Sequence, residues 1–318
     1  MSILARFPNY SRSLDVDEVH ADDLSQATFR SDYVLRNRAL LIRQGAKGWP
    51  ASRWNVLRLT DCLRDVDNLF ENAVGLVSKP FGEYTSDARA AIMRERPTMS
   101  AAEFVNRLVG DYRAAAYAVP LQRTPGIERI WKEFGDFRFL GAGIPRGFLY
   151  EHRMFIYRGG YTDWHFHFAD EGLTAQFMCR KEFLLLPTDS ATFDSMWNVA
   201  RRSRFSDLDL KRDASMASLR PYRAVLEPSD ILYIPVFWWH AVEPLDDEIG
   251  VTCAFVFKSP AHIQWDLRFR AARWNLRQAL RRPRVWPVLP IQALGGLWSM
   301  VRSPFAPVHV GRRDTTSA

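Results

Sequence analysis

Cysteine is scarce in this chain: Cys62, Cys179 and Cys253 are the three among 318 residues, and they stand far apart. That spacing argues against a CxxC metal site and against a disulfide framework, and it fits a reducing cytoplasm. Long apolar runs are also missing, since each is broken by Arg, Pro or Asp short of the roughly 20 residues a bilayer requires. The opening MSILARFPNYSRSL lacks the extended apolar core of a secretory signal. Neither export nor integral membrane insertion is expected. No internal repeat and no low-complexity segment is present. What remains is an ordinary globular composition, 47% hydrophobic, enough for a sizeable core in one large domain or two modest ones.

Negative charge is nearly absent from one end. Between residues 261 and 318 ten arginines face only Asp266 and Asp314, a local +8 against +7 for the whole chain, so the first 260 residues carry −1. A near-neutral body argues against a nucleic-acid-binding core. In the tail, Trp265, Phe269, Ala272, Leu276 and Leu280 form one helical stripe flanked by Arg270, Arg273, Arg277 and Arg281. Two readings stand for it: a helix covering the body or pairing two copies as a homodimer, or a basic amphipathic surface in peripheral contact with the inner face of a membrane.

Along the chain, a polar acidic leader (LDVDEVHADDLSQ) precedes a strand at 39–44 and a short helix near Leu57 to Leu69. Residues 70–97 are mixed, with one strand-like piece, AVGLVS. Ser100 and Glu103 form a capping box that opens a helix over SAAEFVNRLVGDYRAAAY, with Phe104, Leu108 and Tyr112 on one face. From Phe137 short apolar runs predict strands at FRFLGA, FLYEHRMFIYR, TAQFMC, EFLLLP, RAVLE, ILYIPV and GVTCAFVFK, with one helical insert, SATFDSMWNVARRSRF. Many short strands at close spacing predict a mainly β barrel or sandwich with flanking helices.

Two segments bring histidines into strand contexts. In TDWHFH, His165 and His167 are two apart, so on a strand both project to one face. His240 follows the apolar ILYIPVFWW and can close a facial set of three for a borderline divalent metal with open positions. Trp238 and Trp239 beside it read as wall and core packing.

Several stretches together resemble the JmjC-type, cupin-fold branch of the iron(II)/2-oxoglutarate oxygenases. FRSDYVLRNRALLIRQGAKGWPASRW resembles that family's leader, and MSAAEFVNRL the helix before its barrel. TDWHFH resembles T-x-x-H-x-D/E, QFMCRKEFLLLP resembles Q-x-x-G-x-K-x-x-x-L-x-P, and EPSDILYIPVFWWHAVE resembles E-P-G-D-x-x-Y-I-P-x-x-W-W-H-x-V-E. The resemblance implies a double-stranded β-helix (jelly-roll) barrel with an N-terminal α/β leader over 1–120, the barrel over 121–258 and a basic helical segment over 259–318. It implies Fe(II) held by His165 and His240, and 2-oxoglutarate anchored by Lys181 with Thr162. The activity implied is hydroxylation of a small molecule or of a peptide or protein side chain, with no nucleic acid involved.

His167 departs from this pattern, standing where the family has a carboxylate. Three consequences stay open: a three-histidine site that works without 2-oxoglutarate, a carboxylate supplied instead by Asp170 or Glu171 in the manner of the general cupin motif, or a cupin-fold binding or scaffold protein without catalysis. A register starting at His167, with Ala169 in the carboxylate place, resembles a halide-binding variant; Thr162, three residues before His165, favours His165. Cys179 and Ser229 stand where the family prefers Gly, and Ala254 where some relatives carry a polar residue.

Overall fold

The computed structural model describes residues 2–66, 69–73, 98–110, 112–118, 126–141, 152–167, 170–187, 190–200, 214–258, 263, 266, 267, 269–281, 290 and 294. Among the described residues fourteen strands follow in chain order: β1 (Leu14–Asp15), β2 (Asp17–His20), β3 (Leu40–Arg43), β4 (Leu69–Ala73), β5 (Thr98–Met99), β6 (Ala114–Ala118), β7 (Arg153–Arg158), β8 (Thr162–His165), β9 (Asp170–Met178), β10 (Lys181–Leu186), β11 (Tyr222–Leu226), β12 (Ile231–Ile234), β13 (Trp239–Pro244) and β14 (Gly250–Lys258). The longer helices are α1 (Val56–Cys62), α2 (Ala101–Val109), α3 (Ser190–Ala200) and α4 (Arg270–Leu280).

The strands form two sheets, ordered β1-β11-β10-β13-β8 and β2-β3-β12-β9-β14-β7-β6-β4-β5. At their centre β8-β13-β10-β11 faces β7-β14-β9-β12, and every neighbouring pair within these two quartets is antiparallel. This is the double-stranded β-helix. Strand alternation then sorts the side chains into three apolar clusters. Phe183, Leu185, Ala224, Leu226, Leu232, Ile234, Trp238 and Val242 meet between the sheets. The opposite faces of β9 and β14 give Leu173, Ala175, Phe177, Cys253 and Phe255 to an outer core shared with α1, α2 and the aromatic group of Trp49, Phe134 and Phe137. A third cluster joins Trp164, Phe166 and Trp239 to α3 and to Phe269, Ala271 and Ala272 of the C-terminal helix region.

The leader is part of this sheet structure. β1 lies parallel to β11, and β2 and β3 extend the second sheet from β12. The acidic stretch 14–20 reads as polar because both its strands lie near the sheet borders, where alternate residues meet water. At the first residues, Ser2 Oγ donates to Glu243 Oε2 (2.6 Å), and the amides of Ile3 and Leu4 donate to the same carboxylate (3.1 Å each).

Several expectations change. The helix at Ser100 opens as the capping box predicts, with the Glu103 amide donating to Ser100 Oγ, but it ends at Val109. Residues 114–118, alanine-rich and expected to continue it, form β6 instead, paired on both sides by β4 and β7. Two ladders of backbone bonds outweigh alanine's helix preference there. FRFLGA is not a strand: Arg138–Leu140 is a 3-10 turn closed by Gly141 at φ +67°, which tucks Phe137 and Phe139 into the aromatic group. Helix α1 stops at Cys62, short of Leu69. Of AVGLVS only Ala73 is described, at the end of β4; residues 201–205 of the helical insert and Trp265 also lie outside the described residues. Helix α4 packs its Ala271 and Ala272 inward while Arg270 pairs with Asp194 of α3 at 2.9 Å.

Cys179 (φ +65°) and Ser229 (φ +80°) both occupy the left-handed region, which explains why a glycine belongs at each place. Ser229 follows Pro228 in a turn closed by Asp230 N donating to Glu227 O (3.0 Å), the arrangement that needs positive φ at its third residue. A β-carbon there costs roughly 1–2 kcal/mol, less what glycine loses in chain entropy. Cys179→Gly and Ser229→Gly are each expected to stabilise the fold by about 0.5–1 kcal/mol, measured as a higher denaturation midpoint at unchanged m-value.

Candidate metal centre

β8 and β13 are antiparallel neighbours, and His165 stands directly opposite His240. Their ring centroids are 4.1 Å apart; His167 lies 5.0 Å from His240 and 5.7 Å from His165. Phe166, between the two histidines, points the other way and packs on Trp239 (4.8 Å) and Phe193 (5.7 Å). The alternation of an extended segment thus turns both imidazoles inward. Phe237 N donates to His167 O (2.8 Å), tying the end of the first histidine segment to the loop that leads to the second. One ring nitrogen from each of the three lies within 4.8 Å of the others.

The tautomers follow from the backbone. His165 Nδ1 donates to Asp163 O (2.8 Å) and His240 Nδ1 to Trp238 O (3.0 Å). A carbonyl only accepts, so each Nδ1 carries the hydrogen, and in the neutral ring Nε2 is the atom with the lone pair. Burial, with the neighbouring His165 charge second, holds His240 well below the ordinary histidine range. It is a neutral imidazole, the form that binds metal. Three imidazole donors at this spacing fit a borderline divalent ion such as iron(II).

Neither nearby carboxylate belongs to the three-histidine group. Glu171 is fully buried, and strand alternation puts it on the outer face of β9 with Leu173 and Ala175. Its Oε2 accepts from Tyr233 Oη and from Val236 N, both at 2.9 Å, so it fastens β9 to the turn after β12. Asp170, at the start of β9, pairs in backbone register with Lys258. Among the described residues the group able to hold a metal consists of the three histidines.

Lys181 and Thr162 flank β13 from opposite sides, Lys181 opposite Pro244 and Thr162 opposite Val242. Both line one small pocket with Phe155, Tyr157, Tyr161 and Val242. Lys181 is 7% exposed; its Nζ donates to Thr252 Oγ1 (3.3 Å) and sits 4.0 Å from the Tyr157 ring centroid. Burial draws its amine down to about 7. A cation and a hydroxyl at one buried pocket are the donors a carboxylate requires. Trp238 and Trp239 are buried, as their reading as packing residues requires.

Asn37 escaped the sequence reading. It lies in the leader at φ +51°, donates from Nδ2 to Val236 O (3.1 Å) and accepts from Trp238 Nε1 at Oδ1 (2.7 Å) and at its own carbonyl (3.0 Å). It therefore holds Val236 O and the Trp238 indole, on either side of the short turn whose Trp238 carbonyl orients His240. A single asparagine in a polar stretch carries no periodicity that would announce this.

A double-stranded β-helix that brings three histidines together at its β8–β13 edge has the architecture of a cupin-type protein with a candidate metal site. Residues 25–261 match the family described as the cupin-like domain, so the chain belongs to this cupin-like, JmjC-type family. That family commonly contains 2-oxoglutarate oxygenases and typically binds Fe(II). The chain is 24% identical over 235 residues to HSPB1-associated protein 1 homolog of Danio rerio, covering 67% of this chain and 50% of that protein. It is 25% identical over 213 residues to HSPB1-associated protein 1 of Homo sapiens, covering 62% and 43%. It thus spans about half the length of the curated relatives it matches. Among the described residues no helix is long and apolar enough to cross a membrane.

Two outcomes follow from these contacts. Between pH 7 and 10.5 the unfolded chain holds a proton on Lys181 that the folded chain releases, so this lysine adds stability as pH rises through that window and removes it as pH falls toward 7. Lys181→Met is expected to raise the melting temperature at pH 7 by several degrees and to flatten its rise toward pH 10, followed by scanning calorimetry across pH. Asn37→Ala removes the hold on Val236 O and one of the two acceptors of the Trp238 indole, and is expected to weaken metal binding severalfold, less than the roughly tenfold loss usual for a direct partner of a ligand, measured by competition with a chromogenic chelator.

Proposed function

We propose that this protein is an iron(II)-dependent oxygenase that uses 2-oxoglutarate to hydroxylate a small molecule or a peptide side chain. The observation that carries the reading is the placement of two donor sets about one strand: the three histidines at one end of β13, and Lys181 with Thr162 toward the other. His165 and His240 would hold the ion through Nε2, with His167 as the third donor. Iron would supply dioxygen activation, the cosubstrate two of the four electrons that dioxygen takes up through its oxidative decarboxylation, and the hydroxylated C–H bond the other two.

The chain's own part is binding and orientation. The Lys181 ammonium meets the distal carboxylate and the Thr162 hydroxyl donates to it. Because the free amine titrates near 7, binding above that pH takes up a proton at Nζ. Phe183, Trp238 and Val242 fill the space between the sheets and keep it dry, which strengthens each of these charge-assisted contacts.

A second reading, a three-histidine dioxygenase that does not use 2-oxoglutarate, draws support from His167 within the donor set and from Glu171 being engaged by Tyr233 and Val236. The third is a cupin-fold binding protein without catalysis. For partners, the packing of α4 on α3 supports a helix that covers the barrel or pairs two copies over one that lies on a membrane. Buried free thiols at Cys62 and Cys253 support a cytoplasmic setting.

Anaerobic titration with iron(II) and then 2-oxoglutarate separates the readings. The proposal expects one iron per chain and then a weak visible charge-transfer band. Bound iron without the band selects the three-histidine reading, and no bound iron selects the binding protein. His240→Ala is expected to abolish stoichiometric iron; retention of it would reject this ligand assignment.

A further inference from the structure

Behind Lys181 lies a buried polar network whose hydrogen-bond directions can be read from chemistry alone. Gln176 is fully buried on the β9 face that carries Thr174, turned toward the space between the sheets. One end of its amide meets Met178 O (2.6 Å), Cys179 O (2.9 Å) and Tyr157 Oη (2.8 Å). Two of those partners are carbonyls, which only accept, so that end is Nε2. The other end, Oε1, is therefore an acceptor, and the Thr252 hydroxyl 2.7 Å away must donate to it. With its one hydrogen committed, Thr252 Oγ1 faces Lys181 Nζ (3.3 Å) and Tyr157 Oη (3.3 Å) as an acceptor. Burial pushes the Tyr157 phenol up, so it stays a donor at any ordinary pH.

The same amide shapes the β9–β10 turn. Its two carbonyl contacts grip the peptide groups on either side of Cys179, the residue in the left-handed region, two places before Lys181. From outside, Arg180 N donates to Asp246 (2.8 Å) and Leu245 N donates to Arg180 O (3.1 Å), so the turn is held from both sides. Gln176 thereby governs both where Lys181 leaves the backbone and what its ammonium meets.

We propose that Gln176 and Thr252 are positioning residues that fix Lys181 as a donor with its remaining N–H groups turned to the pocket, so that the pocket accepts a group that only accepts hydrogen bonds. The chain runs one way, Lys181 to Thr252 to Gln176. As to the ligand, this rests on the reading of the pocket as the 2-oxoglutarate site; the wiring itself does not.

The test separates the two. Full-length protein labelled with 13C-lysine contains six lysines, and Lys181→Met assigns the 13Cε signal of Lys181, whose shift reports its protonation. Wild type is expected to titrate near 7. Thr252→Val, which removes the acceptor and keeps the shape, is expected to lower the Lys181 midpoint by about one pH unit and to weaken 2-oxoglutarate binding to the anaerobic iron(II) protein about tenfold, the equivalent of one unit. Thr252→Ser is expected to restore both, which a merely structural role for the side chain would not predict. Gln176→Leu is expected to act in the same direction on both readouts, and it serves as the independent variant should Thr252→Val fold poorly. If Lys181 shifts while wild type takes up no 2-oxoglutarate, the wiring stands and the cosubstrate reading falls. If 2-oxoglutarate binds, yet both variants leave the Lys181 midpoint and the affinity within twofold of wild type, the positioning role is overturned.

Discussion

The pairing of His165 with His240 across β8 and β13 is the constraint on which the rest of the molecule depends. Side chains on neighbouring antiparallel strands meet only when the register is right, and a slip of one residue would send an imidazole into the outer core. Much of the surrounding structure holds that register. Phe166 and Trp239 anchor the outward faces of the two segments in one aromatic cluster. Glu171 fixes the turn before β13, Asn37 fixes its tryptophan, and the Phe237 amide closes on His167 O. The candidate metal donors are few, and the residues that place them come from three separated parts of the chain.

The barrel was legible because its strands alternate. TAQFMC, EFLLLP, RAVLE, ILYIPV and GVTCAFVFK each became a strand, and the fold class follows from their number and spacing. The errors lie where local preference and tertiary pairing disagree. Alanine at 114–118 favours a helix, but β4 and β7 offer it hydrogen bonds on both sides. Phe137 and Phe139 alternate as in a strand, yet Gly141 closes a turn. The leader's β1 and β2 are too short and too polar to show a period, and they exist because β11 and β3 supply the partner.

The site was legible in part for the same reason. Histidines two apart in an extended segment must share a face, so His165 and His167 could be placed together without a structure. Lys181 and Thr162 were found through resemblance, and the structure puts both on one pocket. Gln176 stood in the motif without a role. No pattern in one dimension records which lone pair faces which hydrogen, so the Lys181–Thr252–Gln176 chain becomes visible only when three strands are side by side. Cys179 and Ser229, which read as departures from the motif, keep the backbone conformation that glycine would give. The fold tolerates the change of residue without changing the turn.

Glu243, three residues beyond His240 on β13, receives its hydrogens from Ser2, Ile3 and Leu4, partners 239 to 241 positions away in sequence. During synthesis Ser2, Ile3 and Leu4 emerge well before the strand that needs them. The strand bearing His240 therefore reaches its final setting only after the long intervening stretch has been made. Contacts of such long span slow a fold's arrival. For this protein, assembly of the three-histidine cluster is a late event in the life of the nascent chain.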